Sequence, residues 1–199
     1  MRNKTGILCM VLGAALIVAA LSLFAYNQME AARAGRASGE LLPQLLEEMA
    51  HSETEAAVET QPVDVFAMTE VEIDGYAYIG YLLIPKLELE LPIMADWDYP
   101  RLQIAPCRYA GTLNEGNLVL MAHNYAKHFG KISQLSESDL VYFVDMDGIR
   151  TQYQVVGRDI LDPAAVEEMT AGDFDLTLFT CTYGGQSRVT VYCDRAQNR

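Results

Sequence analysis

The chain has 199 residues, 51% of them hydrophobic, and a formal net charge of −13. That length accommodates one domain of ordinary size plus an appendage. The acidic balance argues against nucleic acid and anionic lipid headgroups as partners, because a negative surface repels phosphate.

The first predicted element is Gly6–Tyr26, 21 residues without a charge. As a helix it would rise about 30 Å, the thickness of a bilayer's hydrocarbon core. Arg2 and Lys4 precede it, and the first charge after it is Glu30. Positive residues stay inside, so residues 1–5 are expected in the cytoplasm and the remainder outside a single-pass cell-membrane anchor. A cleaved signal peptide is the alternative, but its apolar core would be shorter, about 7–15 residues, and Ala20–Ala25 is a poor cleavage site. Without Arg2 and Lys4, the exported part keeps 12 of the 14 Lys+Arg against all 27 Asp+Glu, a charge of −15.

Residues 27–71 are rich in Ala and Glu, with Leu41, Leu42, Leu45, Leu46 and Met49 at near-helical spacing, and then Pro62. The acids Glu47, Glu48, Glu53, Glu55 and Glu59 are not interleaved with bases. This pattern predicts a partly helical, solvated stalk. A partner-binding helix is the sharper alternative.

From residue 72 to 199 the pattern is β. Tyr76–Pro85, Leu87–Ile93 and Leu118–Ala122 read as strands, the second alternating almost perfectly. Asp139–Asp145 and Thr151–Val156 form a hairpin around Asp145-Met146-Asp147-Gly148. Leu176–Thr180 and Val189–Cys193 flank the turn residues Tyr183–Ser187. Short helices are expected near Gly130–Leu135 and Asp162–Met169, the latter with Pro163 in its first turn. Many short strands with few helices indicate an all-β domain, a closed or nearly closed antiparallel barrel.

Four cysteines divide by location. Cys9 lies in the apolar helix, as a packing residue or an acylation site. Cys107, Cys181 and Cys193 lie outside, an odd number that leaves at least one free thiol. A Cys107–Cys193 disulfide would leave Cys181, though connectivity is open.

The alternation of Thr177-Leu178-Phe179-Thr180-Cys181 puts Thr177, Phe179 and Cys181 on one face and ends the strand at a Gly-rich turn. A thiol there can be exposed yet rigidly held, and it attacks as thiolate. By itself a cysteine is more often a buried small residue or a disulfide half. Arg188 opens the return strand of the same hairpin, so a permanent cation stands beside that thiol, able to hold an oxyanion. Arg195 is a poorer choice, about 23 Å further along at 3.3 Å per residue. His123, after the apolar run Leu118–Ala122, suits proton transfer to and from an amine. His128 is expected on a surface loop, with a substrate contact as the alternative, and His51 falls in the stalk. His123 and His128 lack a carboxylate at a supporting spacing for a metal, and no Gly-x-Ser-x-Gly occurs.

Thr177-Leu178-Phe179-Thr180-Cys181, with His123 upstream by 58 residues and Arg188 downstream, resembles the signature of sortases, the membrane-anchored cysteine transpeptidases of Gram-positive bacteria. The resemblance covers residues 76–199, and the anchor and stalk suit the usual layout; class B- or D-like membership is the expectation, with the class left open. It implies the eight-stranded sortase β-barrel. It also implies that Cys181 attacks the Thr–Gly bond of an L-P-x-T-G-like sorting signal to form a thioacyl-enzyme. His123 would act as general acid and then base, and Arg188 would steady the substrate and the tetrahedral intermediate. Thr180, Asn124 and Tyr183 are the expected substrate contacts. Partners would be sorting-signal-bearing surface proteins and an amine from a peptidoglycan precursor or a pilin lysine.

No cofactor is expected, and Glu115, Asp145, Asp147 and Asp173 do not have the spacing of a dedicated calcium loop. The short connection from Cys181 to Arg188 leaves the sorting signal undetermined. Asp96-Trp97-Asp98-Tyr99-Pro100 reads as a barrel loop rather than a lid. With no second apolar span, this leans towards single-protein anchoring. Two other readings are a surface cysteine hydrolase and a non-catalytic surface barrel with Cys181 in a disulfide.

Overall fold

A computed structural model describes residues 4–55 and 68–196. Glu59 and Pro62 of the expected stalk lie outside the described residues, as does the start of the expected cytoplasmic segment.

Helix α1 runs without interruption from Lys4 to Glu55. Ile7, Leu12, Leu16, Leu23 and Phe24 are all exposed, and α1 is the one helix among the described residues long and apolar enough to cross a membrane.

The rest is a barrel. Strand β1 (Val71–Ile73) leads into β2 (Tyr76–Ile84), β3 (Leu89–Met94), short helix α2 (Tyr99–Leu102), β4 (Cys107–Ala110) and β5 (Leu118–Met121). A 3-10 turn at Phe129–Gln134 precedes β6 (Leu140–Asp145), β7 (Arg150–Leu161), helix α3 (Val166–Thr170), β8 (Leu176–Cys181) and β9 (Arg188–Arg195). The order is β2-β3-β4-β5-β8-β9-β7-β6, and β6 pairs back onto β2, closing a ring of eight strands, with β1 paired to the start of β2. Closure removes the free edges that an open sheet leaves unpaired.

The expected antiparallel barrel is therefore mixed in one respect. Strands β3 and β4 pair in parallel, as do β5 and β8; the other pairings are antiparallel. The β6–β7 hairpin turns where expected. The Asp145 carboxylate accepts from the backbone N–H groups of Asp147 and Ile149, and Gly148 takes the left-handed φ of +76°.

Leu118, Leu120, Leu176, Leu178, Val191 and Phe143 fill the barrel interior. A second apolar layer lies outside the wall, and α1 covers it. Leu41, Leu45 and Met49 are buried against Tyr78, Met94, Cys107 and Met146. Together with Ala34 and Ser38 they make a stripe at three- and four-residue spacing, one face of a helix. Leu41, Leu45 and Met49 each contribute about 1.5–3 kcal/mol over leaving them in water. The stalk expected to be solvated is instead docked on the barrel along this stripe. Its acidic faces stay in water, which is why the charge pattern pointed the other way.

His128 is a second correction. Expected on the surface, it is fully buried, because Ser38 of α1 closes over it with its Oγ 3.0 Å from Nε2. The proposed Cys107–Cys193 bridge is also absent: both thiols are buried and free, in separate apolar clusters.

Burial pushes the pKa of His128 down to about 4, with the Ala34 backbone pulling it partly back. The folded chain thus binds fewer protons than the unfolded one between about pH 6.5 and 4, so stability falls as pH falls through that window. The loss expected from this residue is about 3 kcal/mol. Denaturant titrations from pH 7 to 4 on wild type and His128→Gln, which cannot charge, should show the smaller loss in the variant. Equal losses would contradict the burial of a neutral imidazole.

Candidate active site

Strand β8 organises the site. On one side it pairs antiparallel with β9, and the register sets Cys181 directly opposite Arg188. On the other it runs parallel to β5, with Met121 opposite Phe179. Beyond the ladder, Ala122 N–H donates to the Phe179 carbonyl at 3.3 Å, and Thr180 Oγ1 donates to the Ala122 carbonyl at 2.8 Å. Two parallel strands tied this far bring their next residues, His123 and Cys181, to the same rim.

Cys181, His123 and Arg188 line one cleft with Trp97, Tyr99, Tyr109, Phe179, Pro163, Val166 and Met169. A larger groove, bounded by Tyr142, Arg150, Thr151, Gln152, Arg195 and Ala196, is lined by no cysteine or histidine.

The hairpin after Cys181 is tightly built. Thr182 N–H donates to the Ser187 carbonyl, Ser187 N–H donates to Thr182 Oγ1, and Gly185 N–H donates to the Thr182 carbonyl. Gly184 and Gly185 supply φ of +89° and +75°, which few other residues adopt without strain. Arg188 Nη1 donates to the carbonyls of Gly185 and Ser187 at 3.1 and 3.2 Å. Its Nε and Nη2 groups have no carboxylate within ion-pair distance among the described residues, so their donors remain for an anionic oxygen. Arg195 lies elsewhere, 3.9 Å from Asp175.

Burial lowers the pKa of His123, so its imidazole is uncharged at neutral pH and can accept a proton. Of the three cysteines beyond α1, Cys181 is half-buried at the cleft while the others are enclosed. Burial pushes the Cys107 thiol up to about 12 and raises that of Cys193 as well.

Of the expected substrate contacts, Thr180 lines the cleft but is buried, with its hydroxyl committed to Ala122. Tyr183 is 93% exposed at the tip of the β8–β9 turn, and neither it nor Asn124 is among the cleft-lining residues. What sequence reasoning missed is the aromatic wall. Trp97, Tyr109 and Phe179 pack in series, with centroids 5.5 and 5.2 Å apart, and Tyr99 meets Trp97 edge-on. The segment read as a barrel loop supplies its outer half. Two exposed aromatics beside the helix-capping Asp98, which accepts from Arg101 N–H, were the available signal.

The sortase family model matches residues 82–196, more than half of the chain. The chain belongs to the sortase family. A curated relative, sortase A of Bacillus anthracis, is 27% identical over 124 residues, covering 59% of this sortase and 59% of that protein. Among solved structures, sortase C1 of Streptococcus suis is 26% identical with a TM-score of 0.54, covering 61% of this chain and 74% of that one. Sortase A of Corynebacterium diphtheriae shares the fold at 18% identity, with a TM-score of 0.56 and coverage of 89% and 97%.

Iodoacetamide applied to the folded full chain in detergent should modify Cys181 but leave Cys107 and Cys193 unmodified until denaturant is added, as read by peptide mass spectrometry. Native-state label on Cys193 would contradict its enclosure in the barrel.

Proposed function

We propose that this sortase is a single-pass membrane-anchored transpeptidase that cleaves an L-P-x-T-G-like sorting signal and passes the protein to an amine. The observation that carries the reading is the placement of Cys181, His123 and Arg188 around one cleft, with Cys181 and Arg188 as direct cross-strand partners.

Neutral His123 takes the Cys181 proton as sulfur attacks the threonine carbonyl carbon. The carbonyl oxygen gains negative charge, and Arg188 stabilises it. The imidazolium then protonates the departing glycine amine, the C–N bond breaks and a thioester remains. An incoming amine attacks the thioester and loses a proton to His123. Sulfur leaves as thiolate, regains that proton, and a new amide is released. The acceptor is a peptidoglycan-precursor amine or a pilin lysine. The apolar wall of the cleft suits the leucine and proline of the signal, because such side chains gain by leaving water.

The anchor is residues 6–26. The basic pair Arg2 and Lys4 before it, against the acids that follow, supports an inside amino terminus and an external barrel.

Incubating the full chain with sorting-signal peptides, with and without an amine acceptor, tests the reading. Amide product that requires Cys181 supports it, whereas acceptor-independent release of acid alone would make the chain a hydrolase. Cys181→Ala should abolish the adduct and turnover. Arg188→Ala should lower kcat/KM by about 10²–10³, and Arg188→Lys should recover little, since an ammonium cannot reproduce the planar fork.

A further inference from the structure

His123 lies past the end of its strand, so something other than the ladder must hold its ring. Its carbonyl accepts from Phe129 N–H at 3.2 Å, and Phe129 is buried in the barrel core. Between them the chain folds back on itself: the N–H groups of His128 and Gly130 both donate to the Tyr125 carbonyl at 2.9 Å. The side chains form a column. The His123 ring sits 4.9 Å from the Tyr125 ring, which sits 5.6 Å from the His128 ring. The column ends on helix α1, where His128 Nε2 is 3.0 Å from Ser38 Oγ.

The chemistry of Ser38 assigns the direction of that bond. A hydroxyl has one proton, and Ser38 donates it to the Ile104 carbonyl at 2.6 Å. Ser38 therefore accepts from His128, whose proton is on Nε2. The bare Nδ1 is buried with no hydrogen-bond partner among the described residues. Ile104 follows α2, the helix that carries Tyr99, another residue lining the cleft. One serine thus ties α1 to the segment after Tyr99 as well as to the loop after His123. The approach needs Gly35: a Cβ there would stand 2.9 Å from the Lys127 side chain. Glu30, further back on α1, is close enough to raise the Tyr125 pKa after burial.

We infer that the Ser38–His128 hydrogen bond makes the anchor helix a positioning element for His123, so that the catalytic domain is incomplete without it. Ser38 and His128 are positioning residues; they act through the ring column and the loop, without touching substrate. The inference rests on His123 being the proton-transfer residue, and the two fail differently. If His123→Ala retains turnover, that reading is wrong. The positioning role is tested by the remote variants alone.

The experiment is transpeptidation by the full chain in detergent, normalised to folded protein, taken as the Cys181 sites modified by iodoacetamide less the Cys193 sites modified, since Cys193 is buried in the folded barrel. Ser38→Ala and His128→Asn should each lower kcat about tenfold, with KM within twofold, because geometry rather than binding is lost. The double variant should be no worse than the weaker single, since both changes cut the same bond. His128→Gln, whose amide Nε2–H can reach Ser38, should keep most of kcat, while His128→Asn should not. Unchanged kcat per titrated site, additive losses, or equal behaviour of the Gln and Asn variants would each overturn the inference.

Discussion

Strand β8 is bonded on both sides, parallel to β5 and antiparallel to β9, and the placement of the candidate site's groups follows from that double pairing. A strand so held cannot slip in register without turning Phe179 out of its apolar niche beside Val119 and Met169. Cys181 thereby inherits a fixed position from a ladder of backbone bonds. Arg188 inherits its own from the facing strand. The site depends on sheet geometry more than on contacts among the three side chains.

The second constraint comes from outside the barrel. Tyr78, Met94, Cys107 and Met146 present an apolar surface on the outer wall, and α1 covers it with Leu41, Leu45 and Met49. Once that face is covered, His128 is shut off from water and its ring must be neutral. A polar residue at such a place requires a partner, and Ser38 is that partner. Burial and hydrogen bonding at this interface are therefore one arrangement.

Much of this was legible from local pattern. Period-two alternation assigned Cys181 and Phe179 to one face, and a short turn implied that Arg188 stands opposite the thiol. The docking of α1 was not legible, because it pairs residues 90 positions apart and local charge favoured a solvated helix. His128 was misplaced for the same reason: burial by a distant element leaves no trace in neighbouring residues. The parallel β5–β8 pairing joins strands more than fifty residues apart, and no turn motif announces such a partner. Trp97 and Tyr99 lay in a segment without strand pattern, and their role emerged only once Tyr109 and Phe179 were beside them.

The unbroken course of α1 also sets a height. Ser38 stands twelve positions after Tyr26, the last of the uncharged run. At 1.5 Å per residue that is about 18 Å of axial rise. A helix that leaves lipid at Tyr26 would therefore carry the cleft as a rigid bracket, close above the headgroups. Substrates tethered to the same bilayer would meet it within two dimensions, whereas a freely diffusing peptide would have to descend to the surface. Lengthening or shortening the segment between Tyr26 and Ser38 by whole turns would move the cleft through that layer without altering a single residue inside it.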